Sequence, residues 1–302
     1  MATSDILNFT EIPTVDDGIK RFEFYEYEPI ARTHLNSTGE IRINIEQQDL
    51  FTLPSEAYLL FEGRLLNLDR TAYANADAVA LTNNGIMHLF SEIIYQLSNQ
   101  NIESVYFPGQ ATTMLGMLKY PNDFQLAQGL NQLWYKDSST TAVLADNSGK
   151  SDTGAIFRNA LAAAGKVNLD KISLFMPHVI PSDLERVNIY KSIEPKVTLP
   201  VTFRARQCDT ITVPQSTTFS WRLSVKTSPE KLRYIIVGFQ TNKDGNPEVN
   251  SSIFDHCDLK NMYIILNQAK YPAADYNLSF PNHQFSRAYR DASVFSEKKK
   301  ET

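Results

Sequence analysis

The stretch TFSWRLSVK (218–226) alternates apolar and polar residues without a break, Phe219, Trp221, Leu223 and Val225 against Ser220, Arg222, Ser224 and Lys226. Successive side chains of a strand point to opposite faces, so this pattern specifies a strand with one face in a core and the other in water. The same period recurs in EIRINIE (40–46), with Ile41, Ile43 and Ile45 turned inward, and in KVTLPVTF (196–203), with Val197, Leu199, Val201 and Phe203. EAYLLFEGRLL (56–66), LRYIIVGFQ (232–240) and NMYIILN (261–267) are apolar on both sides, as strands covered on both faces are. The expected fold class is mainly β.

Few helices interrupt this. PSDLERVNIYKSI (181–193) offers Ser182 as an N-cap with Glu185 three residues on, the two halves of a capping box. GQATTMLGML (109–118) and FSRAYRDASVFSEK (285–298) read as single short helices, and IFRNALAAAG (156–165) as a weaker one. Turn residues separate the strands in NKDGNP (242–247) and YPAAD (271–275), and DNSGKSDTG (146–154), the longest polar Gly/Ser stretch, is the expected inter-domain link.

A length of 302 residues suggests two domains, and an internal match supports two related halves. DLFTLPSEAYLLF (49–61) and DTITVPQSTTFSW (209–221) align without gaps, pairing Asp49 with Asp209, Thr52 with Thr212 and Pro54 with Pro214. Phe61 and Trp221 also correspond, so each copy reads as the end of one strand, a proline turn and the start of the next.

Composition narrows the functional classes. The net charge is −5 and the only dense basic run is Lys298 to Lys300, so a nucleic-acid surface is not expected. Two cysteines, Cys208 and Cys257, are too few for a disulfide framework, and the polar N-terminus lacks the apolar core of a signal peptide. An intracellular, non-secreted setting follows, in which the sequons at Asn8, Asn36, Asn250 and Asn277 are chance occurrences. No apolar run of membrane-spanning length occurs, so no membrane partner is expected.

SSIFDHCDL (251–259) sets an acid, an imidazole and a thiol side by side as Asp255, His256 and Cys257. In extended backbone these neighbours alternate sides and do not converge on one ion, so contiguity argues against a metal site. His34, His88, His178 and His283 are scattered without ligand spacing and read as structural loop histidines. No nucleophile elbow or phosphate loop is present, and the expectation is a non-enzyme with no catalytic residue, metal or cofactor. Phe254 is expected as a core anchor ahead of NMYIILN. The aromatic segment RFEFYEYEPIA (21–31), with Phe22, Phe24, Tyr25 and Tyr27, has two readings: an arm packed on its own domain, or one reaching a neighbouring subunit.

EYEPIARTHLNSTGEIRINIEQQDLFTLPSEAYLLFEG (26–63), NNGIMHLFSEIIYQL (83–97), GKVNLDKISLFMPHVIPSD (165–183), WRLSVKTSPEKLRYIIVGFQTNKDGN (221–246) and FDHCDLKNMYIILNQAKYP (254–272) carry a resemblance. In order and spacing the chain resembles the double jelly-roll major capsid proteins of the Polinton/Maverick and adintovirus type, as integrated in arthropod and other animal genomes. The resemblance implies two tandem jelly-roll-like β-sandwiches: an arm at 1–30, a first domain at 31–150 and a second at 165–302. In that family the FDHC segment precedes a strand of the second jelly roll and is neither catalytic nor a metal site. Both barrels are expected to lack their last strands, because the resembled proteins carry more strands between GQATTML and GKVNLDKISL and continue past 298.

The function implied is structural: self-assembly into a homotrimeric capsomer and then an icosahedral shell, beside other capsid proteins. Sequence-specific nucleic-acid binding is not implied, and the location would be the virion. The residues expected to matter are Pro54, Phe61, Pro214, Trp221 and Phe254 for core and turns, with Phe22, Phe24, Tyr25 and Tyr27 for subunit contact. Rival readings are a capsid remnant that no longer assembles and a lectin-like β-sandwich. A cupin-like metalloenzyme would need a His-x-His pair that the chain lacks.

Overall fold

GKVNLDKISLFMPHVIP (165–181) forms one strand seventeen residues long, and the other strands of its sheet are hydrogen-bonded along its two edges. The computed structural model describes residues 18–31, 35–37, 39–46, 51–74, 81–121, 123–134, 165–194, 203–223, 232–243 and 250–297. The strands are β1 (Ile19–Tyr27), β2 (Phe51–Thr52), β3 (Tyr58–Asn67), β4 (Glu92–Leu97), β5 (Gln100–Tyr106), β6 (Gly165–Pro181), β7 (Ile264–Leu266) and β8 (Ala269–Tyr271). The helices are α1 (Pro108–Lys119), α2 (Gln128–Asn131), α3 (Asp183–Ile193) and α4 (Ser286–Glu297). All strand pairs are antiparallel and the helices are short, so the chain is mainly β.

The chain divides into two compact units, residues 1–74 with 165–203 and residues 75–164 with 204–302. In the first, β1 runs along one edge of β6, from Ile19 opposite Pro181 to Tyr27 opposite Leu174. Along the other edge β3 pairs from Tyr58 opposite Phe175 to Asn67 opposite Gly165, and β2 adds Phe51 opposite Val179. A long apolar strand satisfies its backbone groups only if both edges are paired, which explains why β6, opening where the second sequence-defined domain begins, joins strands from the first 74 residues. Leu169, Ile172 and Met176 of β6 form the buried core of this unit.

The register shifts between Glu62 and Gly63. A Cβ at Gly63 would lie 2.4 Å from the Asn168 carbonyl oxygen, so glycine is what lets the two backbones approach at the bulge. After β6 the chain turns into α3, where the Ser182 hydroxyl accepts the Glu185 N–H at 3.4 Å. The expected capping box is only half formed, because the Ser182 N–H donates to the Gly18 carbonyl at 2.9 Å.

Among the described residues the second unit holds two hairpins. β4 and β5 join through Ser98 and Asn99, at φ 50° and 63°, and β7 and β8 through Asn267 and Gln268, at φ 49° and 67°. Two successive left-handed residues give the turn whose twist matches paired strands. Gly109 at the start of α1 faces the His88 ring so closely that a Cβ would sit 2.4 Å from its Cγ.

Some expected strands form no ladder among the described residues. Residues 41–46 keep the alternation, with Ile41, Ile43 and Ile45 half-buried and Arg42, Asn44 and Glu46 exposed, yet lie in no strand. Residues 218–223 and 232–238 are likewise outside any ladder, while Phe239 bridges to Asp255. The expected strand at 196–202, the link at 146–154 and the helix at 156–164 lie outside the described residues. Histidines expected in loops sit in regular structure: His178 in β6, and His88 in the 3-10 turn Gly85–Leu89.

Candidate functional site

Asp255, His256 and Cys257 go separate ways. The Asp255 carboxylate is buried: Oδ1 accepts from Lys243 Nζ at 2.7 Å and Oδ2 accepts from the Thr241 N–H at 2.7 Å. Lys243 Nζ also donates to the Ile253 carbonyl at 2.7 Å, so a buried cation and anion are held together by fixed backbone groups. His256 stacks on Phe280, centroids 4.4 Å apart and planes at 15°, and its Nδ1 accepts the Asp258 N–H at 2.9 Å. Cys257 is exposed, with Sγ 3.9 Å from the Thr241 hydroxyl. Among the described residues no three His, Cys, Asp or Glu side chains are placed to share a metal ion, and no helix is long and apolar enough to cross a membrane.

The scaffold residues divide by environment. Pro54 opens the 3-10 turn Pro54–Glu56, where its missing N–H costs nothing. Phe61 is half-buried in β3 opposite the buried Ile172. The Pro214 carbonyl accepts the Ser216 N–H at 2.8 Å on the surface, so the two matched segments share a proline turn, but among the described residues only the first is flanked by ladders. Trp221, expected in a core, keeps 36% of its surface exposed. Phe254 is half-buried against the backbone of Gly238, beside Met114.

The face of the first sheet gathers aromatic rings across three strands. Phe22 and Phe24 of β1 meet edge to face at 5.5 Å, Phe24 reaches Tyr58 of β3 at 5.6 Å, and Tyr58 stacks on Phe175 of β6 at 5.0 Å. Phe22, Phe24 and Tyr58 remain 44%, 46% and 51% exposed, a contiguous apolar patch of the kind that marks interaction surfaces. At its border Lys171 binds Glu26 at 2.5 Å and approaches Glu28 at 3.9 Å. The Glu26 hydrogen bond, above all, raises the Lys171 pKa.

Tyr25 and Tyr27 occupy the opposite face of β1, around His178. Tyr25 meets the imidazole edge to face at 4.6 Å, and the Tyr27 hydroxyl shares a 2.9 Å hydrogen bond with Nε2. Burial, with Tyr25 nearby, pushes the Tyr27 pKa up, and burial pulls the His178 pKa down. The structure thus brings the four arm aromatics onto one strand but splits them between two faces. Sequence reasoning missed His178 and Lys243, since neither belongs to a motif. The signal for His178 was its place within an apolar run, where an ionisable group needs a partner.

A family model described as a double jelly roll-like domain matches residues 141–299, just over half of the chain. Comparisons with curated proteins and with solved structures returned no match.

Proposed function

The chain belongs to the double jelly roll-like domain family, and from that membership we propose that it is a capsid-type structural protein whose activity is self-association. In this reading it is a non-enzyme without cofactor. Its partners are copies of itself, in a homotrimeric capsomer and an icosahedral shell, together with other capsid proteins. Its setting is a virion or, for an integrated element of the Polinton or adintovirus type, the interior of the host cell.

The observation that carries the proposal beside family membership is the exposed patch of Phe22, Phe24 and Tyr58, because open apolar sheet faces favour association over solvation. Size-exclusion chromatography with light scattering tests it: a discrete species of three 34.2 kDa chains supports the capsomer, and a stable monomer rejects it. A second reading, a capsid remnant that no longer assembles, draws on residues 203–223, which lie in no ladder among the described residues. Heterogeneous aggregation in the same experiment favours the remnant.

A further inference from the structure

We infer that His178 is a proton-sensitive latch that holds β1 on the sheet, so that mild acid frees the strand Ile19–Tyr27. His178 lies in β6 opposite Glu23 of β1 on one side and Thr52 of β2 on the other, and only 2% of its surface is exposed. One ring nitrogen, Nε2, bonds the Tyr27 hydroxyl at 2.9 Å; the other, Nδ1, is buried and has no hydrogen-bond partner among the described residues. A neutral imidazole has one N–H and one lone pair, and the pocket serves one of the two. An imidazolium has two N–H donors and a charge, and the Nδ1–H would be a charged donor with no acceptor.

Among the described residues no acceptor meets Nδ1. Arg21, Glu23, Tyr25 and Ile180 line the small depression beside it, and Arg21, Glu23, Tyr25 and Tyr27 are the titratable groups that β1 places there. Arg21 and Glu23 bind each other at 2.5 Å, so the one carboxylate that the described residues place beside the ring is already paired with a cation. From β2 comes the neutral Thr52, and the residues two away along β6, Met176 and Ile180, are apolar.

Burial also holds the imidazole below its ordinary pKa, which fixes the sign. With β1 docked the site binds fewer protons than with β1 released. Docking is therefore at full strength above the free imidazole's value, about pH 6.5, and weakens as pH falls below it. Release would expose an edge of β6 and a nine-residue strand carrying Phe22 and Phe24, free to pair with another strand. The inference stands whether or not the chain builds a capsid.

Hydrogen–deuterium exchange of the full chain at about pH 7.5 and about pH 5.5, normalised for intrinsic exchange rates, tests it. The expected result is a loss of protection across 19–27 at the lower pH of up to about tenfold, the most that one group with a free value near 6.5 contributes over this interval, and none in His178→Phe, which cannot take the proton. If that variant does not fold, Arg21→Ala serves. It releases the Glu23 carboxylate to stabilise the imidazolium, so the loss of protection moves to lower pH. Equal protection of the parent at both pH values, or variants that lose protection at the same pH as the parent, would overturn the latch.

Discussion

The carboxamide of Asn36 closes a ring of two hydrogen bonds with the backbone of Leu169: Nδ2 donates to the Leu169 carbonyl at 2.8 Å, and Oδ1 accepts the Leu169 N–H at 2.7 Å. A side chain here does what a paired strand residue does, at the bulge where the ladder between β3 and β6 shifts register. Asn36→Ala removes both partners of a buried residue. The expected cost is about 1–3 kcal/mol, read from urea denaturation midpoints at unchanged slope.

The pair of Lys243 and Asp255 makes a different demand. Removing either partner leaves the other charge buried, so Lys243→Met and Asp255→Asn are each expected to cost about 3–5 kcal/mol. The double variant should cost well under the sum of the two, because no uncompensated ion remains. Additive losses in a double-mutant cycle would show that the two groups act independently.

How far the sequence revealed all this varies by element. β3 was legible because EAYLLFEGRLL is apolar on both sides, and α3 because Ser182 announces its start. The alternation in TFSWRLSVK states which side of the chain is apolar but not which strand pairs with it, and 218–223 join no ladder among the described residues. The hairpin turns at Ser98–Asn99 and Asn267–Gln268 lack the Asn-Gly signal that makes such turns visible. Asp255 and His256 take different partners, but Cys257 and Asp258 lie in a left-handed turn at φ 45° rather than the extended backbone expected, and the cation that binds Asp255 sits in NKDGNP, a segment read only as a turn. Pairing between distant segments is a property of the folded chain, and local pattern does not encode it.

Ser173 supplies a test in the opposite direction. Its side chain is fully buried in β6 and its hydroxyl has no hydrogen-bond partner among the described residues. Such a group lowers stability by its lost hydration. Ser173→Ala should therefore leave stability unchanged or raise it by about 1 kcal/mol in thermal or urea unfolding. A clear loss would show that the hydroxyl is bonded in solution.

If the aromatic face is the association surface, charge placed on it should act on assembly before it acts on folding. Phe24→Asp puts a carboxylate on an exposed position opposite Pro177. Light scattering should then show a monomer where the parent associates, while circular dichroism keeps its β signature. A variant that associates like the parent would move the surface elsewhere.

The ring of Phe254 and the missing side chain of Gly238 fit one another. A Cβ on Gly238 would sit 2.5 Å from Phe254 Cδ1 and 3.0 Å from Met114 Sδ, so Gly238→Ala must push the ring aside, at an expected cost of about 1–3 kcal/mol. Phe254 is only half-buried, so Phe254→Ala should cost about 2 kcal/mol, less than a fully enclosed phenylalanine would. Combining them tests the fit itself: with the ring gone, the new methyl group enters the space it leaves. The double variant should be close in stability to Phe254→Ala alone, whereas a cost equal to the sum of the two would mean that the ring and the glycine do not constrain each other.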